Sequence, residues 1–306
     1  MKFHWVPHLS VVMATLFGAI ALLTGCGGAS AVAPEPTAEA PAATEVVHAD
    51  VVAIPPSTLT LSATLWTQTS LEYAGLTRMV FQAATALLDD AAADPQWQAL
   101  VEYELPEAVG DAGALPPAVI VDLDETIMDN SAYQAWRVVH GIEYSRDTWN
   151  AWALDAEAGL VPGALEFLQA CDAMDIAVFY VSNRYAETEA ATIENLEQLG
   201  VPLPDDAAGY MLFREERPEW AASDKTARRQ AVAQNYRVIM LVGDAIGDFF
   251  ESGGFDAPGD AWQSHWGTRW WVLPNAQYGG WNRVEVPEGV DPMAPWLERL
   301  RSWDGP

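Results

Sequence analysis

Basic side chains are scarce in this chain. Lysine and arginine together number 15 against 43 aspartates and glutamates, which leaves a formal net charge of −28 at pH 7. Lysine occurs only at Lys2 and Lys225. Such acidity argues against nucleic-acid polymers and anionic membrane surfaces as partners, and it repels anionic small molecules at long range. A site for a phosphate group must therefore supply its own local positive charge. Cysteine is confined to Cys26 and Cys171, too few for a disulfide framework. No internal repeat is present. Leu9–Leu23 is the one extended apolar run, and it is shorter than a membrane span. What the chain does have is length, 306 residues, and a composition that is 50% hydrophobic. That is enough for one large core or two small ones, and it confines disorder to segments.

The first such segment is the N-terminus. Lys2 gives a weakly positive start, the apolar run follows, and Leu23-Thr24-Gly25-Cys26 resembles a bacterial lipobox. The resemblance implies cleavage before Cys26 and diacylation of its thiol, a stable anchor to a bilayer. An ordinary signal peptide or an uncleaved anchor is the alternative. Removing residues 1–25 removes only Lys2 among charged groups, so the charge moves from −28 to −29. Residues 26–57 are rich in Ala, Pro, Glu and Thr without hydrophobic period and read as a flexible tether. With Cys26 lipidated, Cys171 stands alone among Phe167, Leu168 and Met174 as a small core residue. The expected localisation is the bacterial cell envelope.

Beyond the tether, residues 58–306 read as one α/β domain. Leu59–Ala93 carries Leu65, Leu71, Leu76, Met79, Val80, Phe81 and Leu87 at helical spacing and reads as one or two helices. Val119-Ile120-Val121 is a β-branched strand, Ile176–Val181 a second, Val238–Val242 a third, and Trp270–Leu273 a further short one. Helices are expected from Pro162-Gly163 to about Met174, over Thr188–Leu199 and over Ala221–Asn235. Residues 129–160, rich in Trp and Tyr, read as a small helical cap or insertion. Alternating strands and helices predict a doubly wound, mostly parallel sheet.

The strand at Ala118–Thr126, A-V-I-V-D-L-D-E-T, ends in Asp122 and Asp124, one residue apart. Held so close, two carboxylates repel unless a cation or a proton lies between them. A metal site, a nucleophile and an acid/base pair all satisfy that demand, and an N-cap cluster at a turn is the bland alternative. The other strands also end in polar residues: Ser182-Asn183-Arg184, then Asp244 and Asp248. A parallel sheet brings those ends to one edge. Several carboxylates gathered there call for a divalent cation. Mg²⁺ is expected because it prefers hard oxygens, with Ca²⁺ or a structural cluster as the alternatives. Lys225, alone in a chain that uses arginine elsewhere, fits a compact ammonium against a phosphoryl group, or else a surface lysine at a helix N-terminus.

In combination, Asp122-x-Asp124-x-Thr126, Ser182, Lys225 and Gly243-Asp244-x-x-x-Asp248 resemble the four motifs of the haloacid dehalogenase (HAD) superfamily. More narrowly, five phrases resemble the class C acid phosphatases of the lipoprotein e(P4) 5′-nucleotidase family. They are Asp122–Ser131, Val161–Ala164, Phe179–Arg184, Val242–Asp244 with Asp248-Phe249, and Leu273–Trp281. The matching phrases lie within about residues 62–282. The resemblance implies a HAD-like Rossmannoid fold and a Mg²⁺-dependent acid phosphomonoesterase acting on nucleotides or other organic phosphate monoesters. It assigns Asp122 as nucleophile, forming an aspartyl-phosphate, and Asp124 as general acid and base. Asp122, the backbone carbonyl of Asp124, Asp244 and Asp248 become the metal set; Ser182 and Lys225 hold the phosphoryl oxygens. Asn183 is a nearby donor, and Trp149 and Tyr278 flank a base or nicotinamide ring.

Two departures from that pattern stand out. Ser182 replaces the more usual Thr while keeping the hydroxyl, and Tyr210–Ala221, with Arg214, Arg217 and Trp220, is longer than expected. An acidic pH optimum follows from the family name. The rival functions are a non-enzymatic surface lipoprotein binding haem or a nucleotide, and another HAD reaction such as dehalogenation or phosphomutase chemistry. The surplus of aromatic residues is compatible with a homodimer.

Overall fold

Val119 and Val121 point to one side of the chain's central strand and Ala118 and Ile120 to the other, and all four are buried. A strand apolar on both faces needs a layer on each side, and the fold supplies them. The computed structural model describes residues 60–105, 112–251, 260–284, 289–290 and 294–301. The expected signal peptide over residues 1–25, the expected lipidation site Cys26 and the expected tether over 26–57 lie outside the described residues.

The helices at the start of the domain are α1 (Leu61–Thr69), α2 (Leu71–Thr85) and α3 (Leu88–Ala93). There follow β1 (Pro117–Val121), β2 (Met128–Asp129), α4 (Ser131–His140), α5 (Arg146–Asp155), β3 (Gly159–Leu160), α6 (Ala164–Ala173) and β4 (Ala177–Tyr185). The rest is α7 (Glu189–Gln198), β5 (Met211–Arg214), α8 (Thr226–Ala233), β6 (Arg237–Gly243), β7 (Trp270–Val272) and α9 (Ala294–Leu297). The main sheet has the order β5-β4-β1-β6-β7, and every neighbouring pair is parallel. The chain winds from β1 outward to β4 and β5, then returns to β6 and β7. Strand order therefore reverses at β1, and a crevice opens beyond the carboxyl ends of strands at such a reversal.

One face of the sheet packs Val119 and Val121 with Phe81 of α2 and Phe167, Leu168 and Cys171 of α6. The other packs Ala118 and Ile120 with Val232 and Ala233 of α8 and with Trp270. Cys171 is a fully buried core residue, as its helical setting implied. Between β1 and α6, the insertion comprises α4 and α5 on a neck formed by β2 and β3, which pair antiparallel. The cap is thus helical with a two-residue ribbon at its base.

The structure departs from the sequence reading at β4, which runs on to Tyr185 where a strand ending at Val181 was expected, and in three further places. Leu59–Ala93 holds three helices, and Leu65, Leu71, Leu76 and Met79 are exposed, Leu71 at 86%. The inward face carries Thr64, Thr67, Tyr73, Thr77 and Phe81 instead. Thr67 and Thr77 can be buried because each hydroxyl donates to a carbonyl one turn earlier, Ala63 and Tyr73. Second, the expected helix over Ala221–Asn235 begins only at Thr226, after a 3₁₀ turn at Pro218–Trp220. Third, Met211–Arg214, inside the segment Tyr210–Ala221 for which no strand was expected, is an edge strand paired with β4. Among the described residues no helix is long and apolar enough to cross a membrane.

Candidate active site

Asp122 directly follows β1, and its amide still donates to the carbonyl of Val242 at 2.9 Å, so the neighbouring strand fixes its position. β6 ends at Gly243 and delivers Asp244; the 3₁₀ turn Ile246–Asp248 then returns Asp248 toward the same point. Ligand oxygens of Asp122, Asp244 and Asp248 lie within 4.8 Å of one another. Gly243 makes this possible, because a Cβ there would overlap the side chain of Asp248. Oδ2 of Asp248 accepts from the Ala245 amide at 2.9 Å, which turns the other oxygen inward. Asp244 is oriented by Asn275, whose side-chain nitrogen donates to it at 2.7 Å, and by Thr126 at 3.4 Å.

Lys225 enters from the residue before α8. Its ammonium donates to Oδ1 of Asp122 at 2.5 Å and to Oδ1 of Asp248 at 2.6 Å, and all three side chains are nearly sealed from solvent. Burial pushes the Asp122 carboxyl up to about 7; Lys225 pulls the other way, while Asp248 and Asp124 add to the rise. Burial, then the charges of Asp248 and Asp122, drive Asp244 well above the carboxylate range, against its hydrogen bond from Asn275 and the charge of Lys225. For Lys225 burial works against the charge, but Asp122 and Asp248 outweigh it and raise it above the ordinary lysine value. One ammonium thus faces three crowded carboxylates. That donor set, all hard oxygen and under-neutralised, fits a divalent cation.

The side chain of Asp124 turns away from this cluster. Its Oδ1 accepts from Nε of Arg184 at 2.9 Å and from the side-chain nitrogen of Asn130 at 3.0 Å. Ser182 is fully buried, and its hydroxyl oxygen accepts from the Arg184 amide at 3.1 Å. Arg228 binds the Ser182 carbonyl at 2.5 Å, Oδ1 of Asn183 at 2.7 Å and the Asp224 carbonyl at 3.0 Å. This clamp joins the end of β4 to the loop that presents Lys225. Asn183 itself is exposed.

The aromatic candidates sit on different segments. Trp149, on α5, is 7% exposed and packs edge-on against Tyr133, with ring centroids 5.2 Å apart. Tyr278 is half-buried, and its amide approaches Oδ1 of Asn275 at 3.4 Å. Asn275 therefore ties the segment carrying Tyr278 to Asp244. No ring contact joins Trp149 to Tyr278. A cavity of about 360 Å³ beside β5 and the end of α8, lined by Phe179, Tyr210, Trp220 and Tyr236, contains none of the site residues.

The chain matches the family model of the HAD superfamily, subfamily IIIB (acid phosphatase), over residues 38–281. It belongs to that family. A solved structure of the class C acid phosphatase from Bacillus anthracis with tungstate bound superposes with a TM-score of 0.66 at 27% identity. A second structure of the Bacillus anthracis class C acid phosphatase gives 0.64 at 27%. Each match covers 82% of this chain and 100% of the other. The parallel sheet, the strand-end carboxylates and the family agree: the protein is an acid phosphatase acting on phosphate monoesters, with an aspartate cluster fit for a divalent metal.

Several residues of this acid phosphatase site were given no role by the sequence, Arg184 included, although it stands in the strand-end group Ser182-Asn183-Arg184. Arg184 is the chief one. A strand running on through Tyr185 places alternate residues on one face, so Ser182 and Arg184 share a side and Asn183 takes the other. Asn130 and Asn275 lay within the recognised phrases, but nothing in their spacing marked them as anchors. Glu125, in the left-handed region at φ 58°, accepts from the Asn130 amide at 3.1 Å and helps close the turn after Asp124.

Proposed function

We propose that this acid phosphatase is a Mg²⁺-dependent, lipid-anchored enzyme of the cell envelope that hydrolyses nucleotide-like phosphate monoesters through an aspartyl-phosphate. The observation that carries the reading is the Lys225 ammonium bridging Asp122 and Asp248 beside Asp244. Asp122, Asp244 and Asp248 would hold Mg²⁺, with the backbone carbonyl of Asp124. When bound, the cation supplies positive charge that keeps Asp122 ionised and offsets the charge of the substrate's phosphoryl oxygens.

The Asp122 carboxylate attacks phosphorus, the phosphorus–ester oxygen bond breaks, and Asp124 gives its proton to the departing oxygen. Water then attacks phosphorus, Asp124 takes the water's proton, and the phosphorus–Asp122 bond breaks. The products are an alcohol and inorganic phosphate. Lys225 and Ser182 hold the phosphoryl oxygens through both displacements, and this preorganised charge is where phosphoryl transfer gains most of its rate. The aromatic cap around Trp149 and the Tyr278 segment support a substrate with a flat ring. The anchor rests on Leu23-Thr24-Gly25-Cys26.

Asp122→Asn tests the reading. Phosphate release from p-nitrophenyl phosphate and from a nucleoside 5′-monophosphate should fall by at least about 10³-fold with the circular dichroism spectrum unchanged. Turnover near that of the wild type would refute the nucleophile. Replacing Mg²⁺ by chelator should abolish activity, and restoration by Mg²⁺ over Ca²⁺ checks the choice of ion.

A further inference from the structure

Arg184 is a buried cation next to the site with an unusual grip on Asp124. Its side chain is 1% exposed, yet every donor group of the guanidinium has a partner. Nε and one terminal nitrogen both lie 2.9 Å from a single oxygen of Asp124, Oδ1. That terminal nitrogen also donates to Oδ1 of Asn130 at 3.2 Å, and the other donates to the Thr192 hydroxyl at 3.0 Å. Asn130 completes the ring by donating to the same Oδ1 of Asp124 at 3.0 Å. A guanidinium facing a carboxylate commonly takes both oxygens in a fork. Here all the hydrogen bonds fall on one, and among the described residues Oδ2 accepts none.

The cap takes part in the same arrangement. Nε1 of Trp152, on α5, donates to Oδ1 of Asn130 at 2.9 Å, and the Trp149 ring lies 5.7 Å from the Arg184 guanidinium carbon. Arg184 is therefore anchored by Thr192 of α7, by Asn130 at the cap's neck and by Asp124 itself. Such a network fixes one rotamer of Asp124, because swinging the carboxylate would strip a buried guanidinium of its partner.

We infer that Arg184 is a positioning residue for proton transfer: with Asn130 it locks Oδ1 of Asp124, so that Oδ2 alone carries the proton to the leaving oxygen. The inference rests on the proposed role of Asp124. Once the proton has moved from Oδ2 to the ester oxygen as the phosphorus–oxygen bond breaks, the carboxylate left behind keeps its negative charge beside the guanidinium. The same Oδ2 then receives a proton from the attacking water. Neither step needs a co-reactant beyond substrate and water.

The distinguishing property is dependence on the leaving group. A good leaving group such as p-nitrophenolate departs without a proton, whereas the 5′-oxygen of a nucleoside needs one. A residue that only stabilised the fold would affect both substrates alike.

The test measures kcat/KM for p-nitrophenyl phosphate, phenyl phosphate and a nucleoside 5′-monophosphate, using the full chain with Mg²⁺ and four variants. For Arg184→Met, the expected loss on the nucleotide exceeds that on p-nitrophenyl phosphate by about 10²-fold. Asp124→Asn should show the same steepening, and Arg184→Lys should fall between Arg184→Met and the wild type. If Arg184→Met does not fold, Thr192→Val decides. It frees one arm of the guanidinium and should give the same steepening at smaller amplitude. A uniform loss across the three substrates in Arg184→Met or Thr192→Val, with Asp124→Asn steep, would overturn the inference and leave the role of Asp124 standing. An Asp124→Asn variant that loses no more on the nucleotide than on p-nitrophenyl phosphate would overturn that role and the inference with it.

Discussion

The ammonium of Lys225 lies 2.5 Å from Oδ1 of Asp122, across 103 positions of sequence, at the point where the sheet reverses its winding. The same ammonium reaches Asp248 at 2.6 Å. The chain's one lysine besides Lys2 is thus placed between two buried carboxylates.

Replacing Lys225 by Met should therefore lower kcat for p-nitrophenyl phosphate by at least about 10²-fold, since the proposed role of its ammonium is to hold the phosphoryl oxygens where charge develops. Lys225→Arg should not restore it. A planar guanidinium is larger than the space between two carboxylate oxygens 2.5 and 2.6 Å from one nitrogen. Steady-state kinetics on the two variants, with circular dichroism as a check on folding, measures this.

Gly243→Ala should damage the metal site more than the fold. The added methyl meets Asp248, whose carboxylate must shift away from Asp122 and Asp244. The expected outcome is a rise of 10-fold or more, on the order of 1.4 kcal/mol, in the Mg²⁺ concentration needed for half-maximal activity. Titration of activity with Mg²⁺ after chelation reads it directly.

Stability without divalent cation should fall as pH rises toward neutrality and above. Asp122 sits at about 7 against an ordinary 3.8, and Asp244 is raised well above that value too. Between the ordinary and the raised values the folded protein holds more protons than the unfolded chain, so unfolding free energy decreases with increasing pH across that window. Binding of the proposed Mg²⁺ would require these carboxylates ionised. Its addition should accordingly raise Tm more at pH 8 than at pH 5. Asp244→Asn removes one raised carboxyl and should flatten the decline seen in chelator. Thermal melts at both pH values, with chelator or Mg²⁺, check the sign.

Arg229 and Glu104 form a fully buried pair, with Nε at 2.8 Å from Oε2 and a second nitrogen at 2.5 Å from Oε1. Arg229 also donates to the carbonyl of Gly247, in the turn that carries Asp248. Breaking the pair by Arg229→Met leaves a buried carboxylate and should cost about 3–5 kcal/mol. Adding Glu104→Leu should recover much of the loss. Denaturant titration of the single and double variants gives both numbers.

Much of this fold could be read from sequence because the signals were local. Val119-Ile120-Val121 and Val238–Val242 are apolar runs long enough to mark central strands, and parallel pairing then brings Asp122, Ser182 and Asp244 to one edge without further information. β5 was invisible because Met211-Leu212-Phe213 is short, and its strand character comes from pairing with β4. The helical period of Leu65, Leu71, Leu76 and Met79 was evident, but their phase relative to the core was not. Back-bonded threonines occupy the inner face, and composition gives no warning of that. The start of α8 was misplaced because Asp224 accepts from the Thr226 amide at 3.0 Å and delays the helix until after Lys225. For Arg184, the missing knowledge was that β4 extends to Tyr185.

The most direct measurement is the stereochemical course at phosphorus. A phosphate monoester made chiral with sulfur and oxygen isotopes is turned over, and the configuration of the released thiophosphate is determined. Two in-line displacements, the first by Asp122 and the second by water, predict net retention. Net inversion, the signature of direct attack by water, would contradict an aspartyl-phosphate on Asp122.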